Sequence, residues 1–121
     1  MLCEGEKVNL IELTERYVDN FNKKNMSSLE LMIHEEATLV DPENTFSGKE
    51  KIVEELNRLL SHEEIMLDAV EIYNDVQQET TFLEFKIRID DLMLKGIDAI
   101  RWKDNKIYKL TAYVNEDNYQ E

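Results

Sequence analysis

Apolar positions recur at helical spacing through the first half of the chain and at alternate positions through much of the second. Leu10, Leu13, Tyr17 and Phe21, with Ile11 and Val18 beside them, mark one side of a helix from about residue 6 to 23. A second helix is expected to start at SSLE, where Ser27 and Glu30 form a capping box and Leu29, Met32 and Ile33 give the apolar side. ATLVDP then reads as a short strand stopped by Pro42. Ser47 and Glu50 repeat the capping-box pattern and open a third helix, with Ile52, Val53, Leu56, Leu59 and Leu60 inward. Residues 65–76 are rich in strand formers without clean alternation. Residues 83–90 alternate strictly, Leu83, Phe85, Ile87 and Ile89 against Glu84, Lys86, Arg88 and Asp90. A further strand covers 92–102, KDNK at 103–106 is a tight turn, and 107–115 is the last strand, with Tyr108, Leu110, Ala112 and Val114 on one side. Helices first and a strand meander afterwards predict an α+β fold, its helices packed on one face of an antiparallel sheet.

One position breaks the pattern. In LMLKGIDAIRW, one face carries Leu92, Leu94, Gly96, Asp98, Ile100 and Trp102, so the more apolar face holds the acid. An ionised carboxylate there would lose its water and gain little in return. Two more polar residues have unusual placements. Tyr17 lies on the apolar stripe of the first helix, where its hydroxyl needs a partner. Asp41 ends the first strand just before Pro42. Taken singly, Tyr17 reads as a core tyrosine and Asp41 as an Asp-Pro turn, while a hydrogen bond to backbone could account for Asp98.

Composition narrows the function classes. The 121 residues suit one domain, 1–121, with a single core over about 6–115. A formal net charge of -13, with scattered Lys and Arg, argues against nucleic acid and anionic membrane as partners. No apolar run is long enough to span a bilayer. Cys3 is the only cysteine, so no internal disulfide can form, and its place suggests no catalytic role. The first ten residues lack the basic and apolar regions of a secretory signal, and a cytoplasmic protein is expected. His34 and His62 each begin an HEE triplet, expected at the ends of the second and third helices, and neither has ligand-like spacing with other donors. No metal and no cofactor are therefore expected. No phosphate loop, nucleophile elbow or cysteine dyad is present.

Three stretches, ERYVDNFNKKNMSSLELMIHEEATLVDP, FSGKEKIVEEL and GIDAIRWKDNKIYKLTAYVN, resemble the nuclear transport factor 2-like superfamily, also described as SnoaL-like, from about residue 6 to 115. The resemblance implies a curved antiparallel sheet folded into a cone, with three helices closing one end over an apolar pocket. Phe21, Ile33, Phe46, Leu56, Phe85, Ile100, Trp102 and Leu110 would line that pocket. Within the superfamily, the ketosteroid isomerase branch matches best. Tyr17 in RYV, Asp41 in DP and Asp98 in ID fall on that branch's tyrosine, general base and second aspartate. By that resemblance Asp41 moves a proton, while Tyr17 and a protonated Asp98 hold the enolate oxygen. Two features depart from the branch. The third helix has no tyrosine, and Ile33 and Ile100 stand where the branch often shows phenylalanine.

Three functions follow as expectations. The first is a cofactor-independent isomerase acting on a small apolar carbonyl compound through an enolate. The second is a binding or dimerisation module that keeps the pocket without the chemistry. The third is a hydratase or hydrolase in which Asp41 or Asp98 activates water. Met93, Ile97 and Ala99 on one strand and Thr111 and Tyr113 on the last lie opposite Asp98 and Leu110, so a homodimer through that outer face is also expected.

Overall fold

The computed structural model describes residues 9–116. Cys3 and the first residues of the expected opening helix, 6–8, lie outside them. The elements run α1 (Leu10–Asn22), α2 (Met26–Leu31), β1 (Ile33–Val40), β2 (Thr45–Ser47), α3 (Lys49–Leu60), β3 (Ile65–Asp75), β4 (Thr80–Ile89), β5 (Leu92–Lys103) and β6 (Lys106–Glu116). All strands join one curved, open six-stranded sheet in the order β2-β1-β6-β5-β4-β3. The fold is α+β with its helices toward the N-terminus, as expected. One pair departs from the antiparallel pattern: β1 runs parallel to β6. A parallel pair needs a long crossover, and here α3 and three strands of the meander lie between the partners.

Local chemistry sets the element boundaries, and in three places it overrules the sequence pattern. Asn25, not Ser27, caps α2: its side-chain oxygen accepts from the Ser28 N–H at 3.2 Å, and the Ser27 hydroxyl donates to that same oxygen at 3.1 Å. Ser47 does not cap α3, because it pairs with Thr38 at the end of β2. Gly48 takes the cap position with φ 94°, a left-handed value that suits glycine, and donates its N–H to the Ala37 carbonyl at 2.8 Å. β1 begins at Ile33 rather than near Ala37, so His34 lies on a strand, not at a helix end. Its ring packs edge-on against Tyr108 at 5.1 Å.

Curvature comes from irregularities in the ladder. Register shifts interrupt β1 against β6 between Ile33 and Thr38, β3 against β4 between Ala69 and Glu71, and β5 against β6 between Arg101 and Trp102. Such bulges bend and twist a sheet. The last one puts two residues of β6 opposite one of β5, so Ile107 is buried where simple alternation points to Tyr108, which is half-buried. At Gly96 a side chain would run into the Tyr113 carbonyl of β6, so the close approach of the two strands requires glycine there. Asp104 and Asn105, with φ 54° and 62°, form the two-residue turn between β5 and β6.

The core fills the space between the helices and the concave face. Leu13, Tyr17 and Phe21 of α1 and Ile52, Leu56 and Leu60 of α3 pack over Leu67, Leu83, Phe85, Ile100, Trp102 and Leu110. Burying each large side chain contributes roughly 1.5–3 kcal/mol. A polar chain closes this core beneath α1. The Trp102 indole donates to the Thr81 hydroxyl oxygen at 3.0 Å, and Thr81 and Thr14 are 2.7 Å apart. Thr14 spends its own proton on the Leu10 carbonyl at 2.8 Å, so Thr81 must be the donor between the two threonines. Farther along α1, the Asn22 amide exchanges hydrogen bonds of 2.8 and 2.7 Å with the Leu67 backbone, tying the helix end to β3. No helix among the described residues is long and apolar enough to cross a membrane.

Candidate functional site

Between α1, α3 and the concave face lies a cavity of about 420 Å³. Its buried lining residues, Tyr17, Phe21, Leu56, Leu67, Phe85, Ile87, Asp98 and Leu110, form the floor. The half-buried and exposed ones, among them Leu39, Asp41, Pro42, Glu43, Glu55, Arg58 and Leu59, form the mouth. The size falls in the range of small-molecule sites.

α1 delivers Tyr17 because the stripe Leu13, Tyr17, Phe21 must face the sheet. Tyr17 is 6% exposed, its ring tilted against Phe21 at 6.2 Å. Among the described residues its hydroxyl has no hydrogen-bond partner, and it sits on the cavity wall. Burial first, and the charge of Asp98 second, push its ionisation well above the usual phenol range. It therefore stays a neutral O–H, able to donate.

Alternation along β5 puts Asp98 on the concave face, as expected. It pairs across the ladder with Leu83 of β4 and Ala112 of β6, so both neighbours are apolar. Asp98 is 6% exposed and has no hydrogen-bond partner among the described residues, so the alternative account, a hydrogen bond to backbone, is not what places it there. Loss of water raises its pKa from 3.8 to about 7. At neutral pH a large share of the carboxyl is protonated and can donate a hydrogen bond into the cavity.

Asp41 stands at the mouth, beyond the end of β1. One carboxylate oxygen accepts from the backbone N–H groups of Glu43 at 2.8 Å and Asn44 at 2.7 Å, and the Asp41 N–H donates to the Asn44 carbonyl at 2.9 Å. The Asp-Pro turn is thus real, and it is also what holds the residue at the cavity. The second carboxylate oxygen has no hydrogen bond among the described residues.

The cavity brings together Tyr17, Asp41 and Asp98, with Phe21, Leu56, Phe85 and Leu110 of the expected lining. Ile33, Ile100 and Trp102 are buried but do not line it, and Phe46 is half-buried against the core. Alternation assigns a face but not a depth: Trp102 lies four residues beyond Asp98, roughly 13 Å along the strand, under Thr14 and Thr81. Ile87, Ile89, Leu94, Ala112 and Val114 line the cavity instead. Their signal was present, since they share faces with Phe85, Asp98 and Leu110.

The mouth also holds a pair absent from the sequence reading. Arg58 grips Glu55 with two hydrogen bonds, Nε to Oε1 at 2.9 Å and Nη2 to Oε2 at 2.6 Å. Their spacing of three, beside the inward Leu56 and Leu59, was the available clue. His34 and His62 do not line the cavity. His62 follows the C-terminus of α3 and pairs at 2.9 Å with Asp90, whose carboxyl it holds below the usual range. Among the described residues, no three His, Cys, Asp or Glu side chains gather closely enough to hold a metal ion.

No family model and no curated protein matches the chain. Solved structures do. A nuclear transport factor 2-like protein from Cytophaga hutchinsonii superposes with a TM-score of 0.80 at 12% identity, over 90% of this chain and 92% of that one. A steroid delta-isomerase from Pseudomonas aeruginosa gives 0.72 at 22% identity, over 90% and 81%. An LEH-like epoxide hydrolase from M. tuberculosis gives 0.75 at 12% identity, over 88% and 82%. Likeness at these identities establishes the architecture, and proteins of this architecture carry different chemistries.

Proposed function

For a chain with the nuclear transport factor 2-like fold, we propose a cofactor-independent isomerase that acts on a small apolar carbonyl compound. The carrying observation is Asp98, a buried carboxyl without a protein partner, lining the same apolar cavity as the equally unpartnered Tyr17 hydroxyl. A buried polar group normally finds a partner within the protein. Two donors left open to a cavity suit an oxygen that arrives with a ligand.

In this reading Tyr17 and protonated Asp98 donate to the carbonyl oxygen. Asp41 takes a proton from the carbon beside it. The C–H electron pair moves into the enolate, whose negative oxygen the two donors stabilise more strongly than the starting carbonyl. Asp41 then returns the proton to another carbon of the conjugated system, so atoms and electrons balance without a redox partner. An acidic, single-cysteine chain suits a reducing, cytoplasmic setting. The test is deuterium uptake from heavy water into a panel of β,γ-unsaturated ketones, followed by NMR. Protein-dependent exchange should fall by about 10²–10⁴-fold in Asp41→Asn, which keeps the turn and loses the base. Absence of exchange across the panel sinks the proposal.

A second reading, a binding module without turnover, gains from the Asp41 turn, because one oxygen of the proposed base is already committed to two backbone donors. Ligand binding without exchange would establish it. In either case the chain acts as a homodimer. Ile97 is 42% and Tyr113 62% exposed, they pair across β5 and β6, and Val70, Tyr73 and Phe82 extend the apolar face. Light scattering should give twice the chain mass at micromolar protein, and a monomer mass refutes the dimer.

A further inference from the structure

The cavity has a charge asymmetry between floor and mouth. Three carboxylates, Asp41, Glu43 and Glu55, stand at the mouth against one guanidinium, Arg58. Arg58 does not offset them freely, because two of its donors are bound to Glu55. An anion arriving there would shed water, face the carboxylates and meet no other cation among the described lining residues. The net charge of -13 over the whole chain adds to the repulsion. The floor, by contrast, is apolar apart from Tyr17 and Asp98. Asp98 is the independent sign that a ligand belongs here, because it is buried, unpartnered among the described residues and on the cavity wall.

We propose that the cavity selects its ligand by charge, taking neutral or cationic apolar compounds and excluding anions, with Glu55 as the specificity-determining residue. Glu55 acts twice, once through its own charge and once by holding the Nε–Nη2 edge of Arg58, the one cationic group among the described lining residues. Size narrows the class further. A volume of about 420 Å³ lies toward the lower end of small-molecule sites. The class is a small apolar compound with its hydrogen-bond acceptor at the floor and any substituent at the mouth uncharged or cationic. This substrate class rests on the reading of Tyr17 and Asp98 as donors, whereas the charge selection does not.

The two are separable in one set of titrations. Naphthalene-2-carboxamide, 2-naphthylmethylammonium and 2-naphthoate share a ring system and differ in charge. At pH 6 and low salt, where Asp98 is mainly protonated, the amide and the ammonium should bind at least about tenfold more tightly than the naphthoate, and added salt should narrow the gap between ammonium and naphthoate. Glu55→Gln, which keeps the shape and frees Arg58, should narrow the gap between amide and naphthoate. Naphthoate binding as tightly as the amide, or no binding by any of the three, overturns the proposal, and a gap unchanged in Glu55→Gln removes Glu55 from it. Separately, 2-naphthol mimics an enol and should bind more weakly to Tyr17→Phe. If it does not, while the charge preference persists, the donor reading fails and the selection stands.

Discussion

Two groups of buried polar side chains lie under the same helix, one turn apart, and they are handled in opposite ways. Thr14 faces Thr81 and Trp102 in a chain whose donors are all spent within the protein. Tyr17, three residues on, shares the cavity with Asp98, and neither side chain has a hydrogen-bond partner among the described residues. On the sheet the two groups are also close, since Thr81 pairs with Ile100 and Leu83 with Asp98 on the same two strands. Both groups are buried to a similar degree. What differs is closure: the threonines end in protein acceptors, and Tyr17 and Asp98 face the cavity. A polar network that satisfies itself adds specificity to the core. One that opens on a cavity leaves its groups to whatever occupies that cavity, at the cost of drawing Asp98 away from bulk water.

The largest expected effect follows from that cost. Asp98 has a folded-state pKa of about 7 against 3.8 for an exposed aspartate. Below the lower value both folded and unfolded chains carry the proton, and the neutral acid costs little. As pH rises between the two values the unfolded chain releases its proton first, so folding becomes progressively less favourable. Stability from this residue is thus fully present below about pH 3.8 and lost as pH climbs through about 7, a total of ~4 kcal/mol at 1.36 kcal/mol per unit. Asp98→Asn cannot ionise and should lose this slope, matching or exceeding the parent at pH 8. Chemical unfolding of both proteins from pH 4 to 8 measures the difference. Parallel profiles would mean that Asp98 is ionised throughout, and the contrast with the threonines would disappear.

The same contrast explains what could be read from the chain. The spacing of Leu13, Tyr17 and Phe21, and the alternation through Leu94, Asp98 and Ile100, depend on local geometry, and both put their side chains on the concave side. Depth along a strand depends on where the helices sit, which no local pattern encodes. Trp102 and Ile100 therefore ended in the closed core although they share a face with Asp98. The parallel pairing of β1 with β6 joins distant segments, and the bulge that exchanges Tyr108 for Ile107 lies where β6 meets both β1 and β5. Ser27 and Ser47 failed as caps because Asn25 and Gly48 were better placed. Glu55 and Arg58 show only a spacing of three in the sequence, and nothing local places that pair at the edge of a cavity.

Two hydroxyl deletions test the comparison directly, in order of expected size. Thr81→Val keeps the volume and removes the link between Trp102 and Thr14. The indole N–H then has no acceptor in a buried site, and a buried donor left unsatisfied costs roughly 1–3 kcal/mol. Thr14 keeps its bond to Leu10, so the loss should stay within that range. Tyr17→Phe removes a hydroxyl of similar burial but strands no partner, because none of the described residues bonds it. Its effect on stability should be within about 0.5 kcal/mol, and toward greater stability if the desolvated hydroxyl is a net cost. Proton exchange on a bound ketone should meanwhile fall by about 10²–10³-fold, the usual consequence of losing one oxyanion donor. Urea unfolding of the two variants beside the parent, with exchange measured on the same samples, gives both readouts. If Tyr17→Phe costs as much as Thr81→Val, the tyrosine hydroxyl is satisfied in the empty protein. The two groups would then differ only in position, and the open donors on which the functional reading depends would be closed.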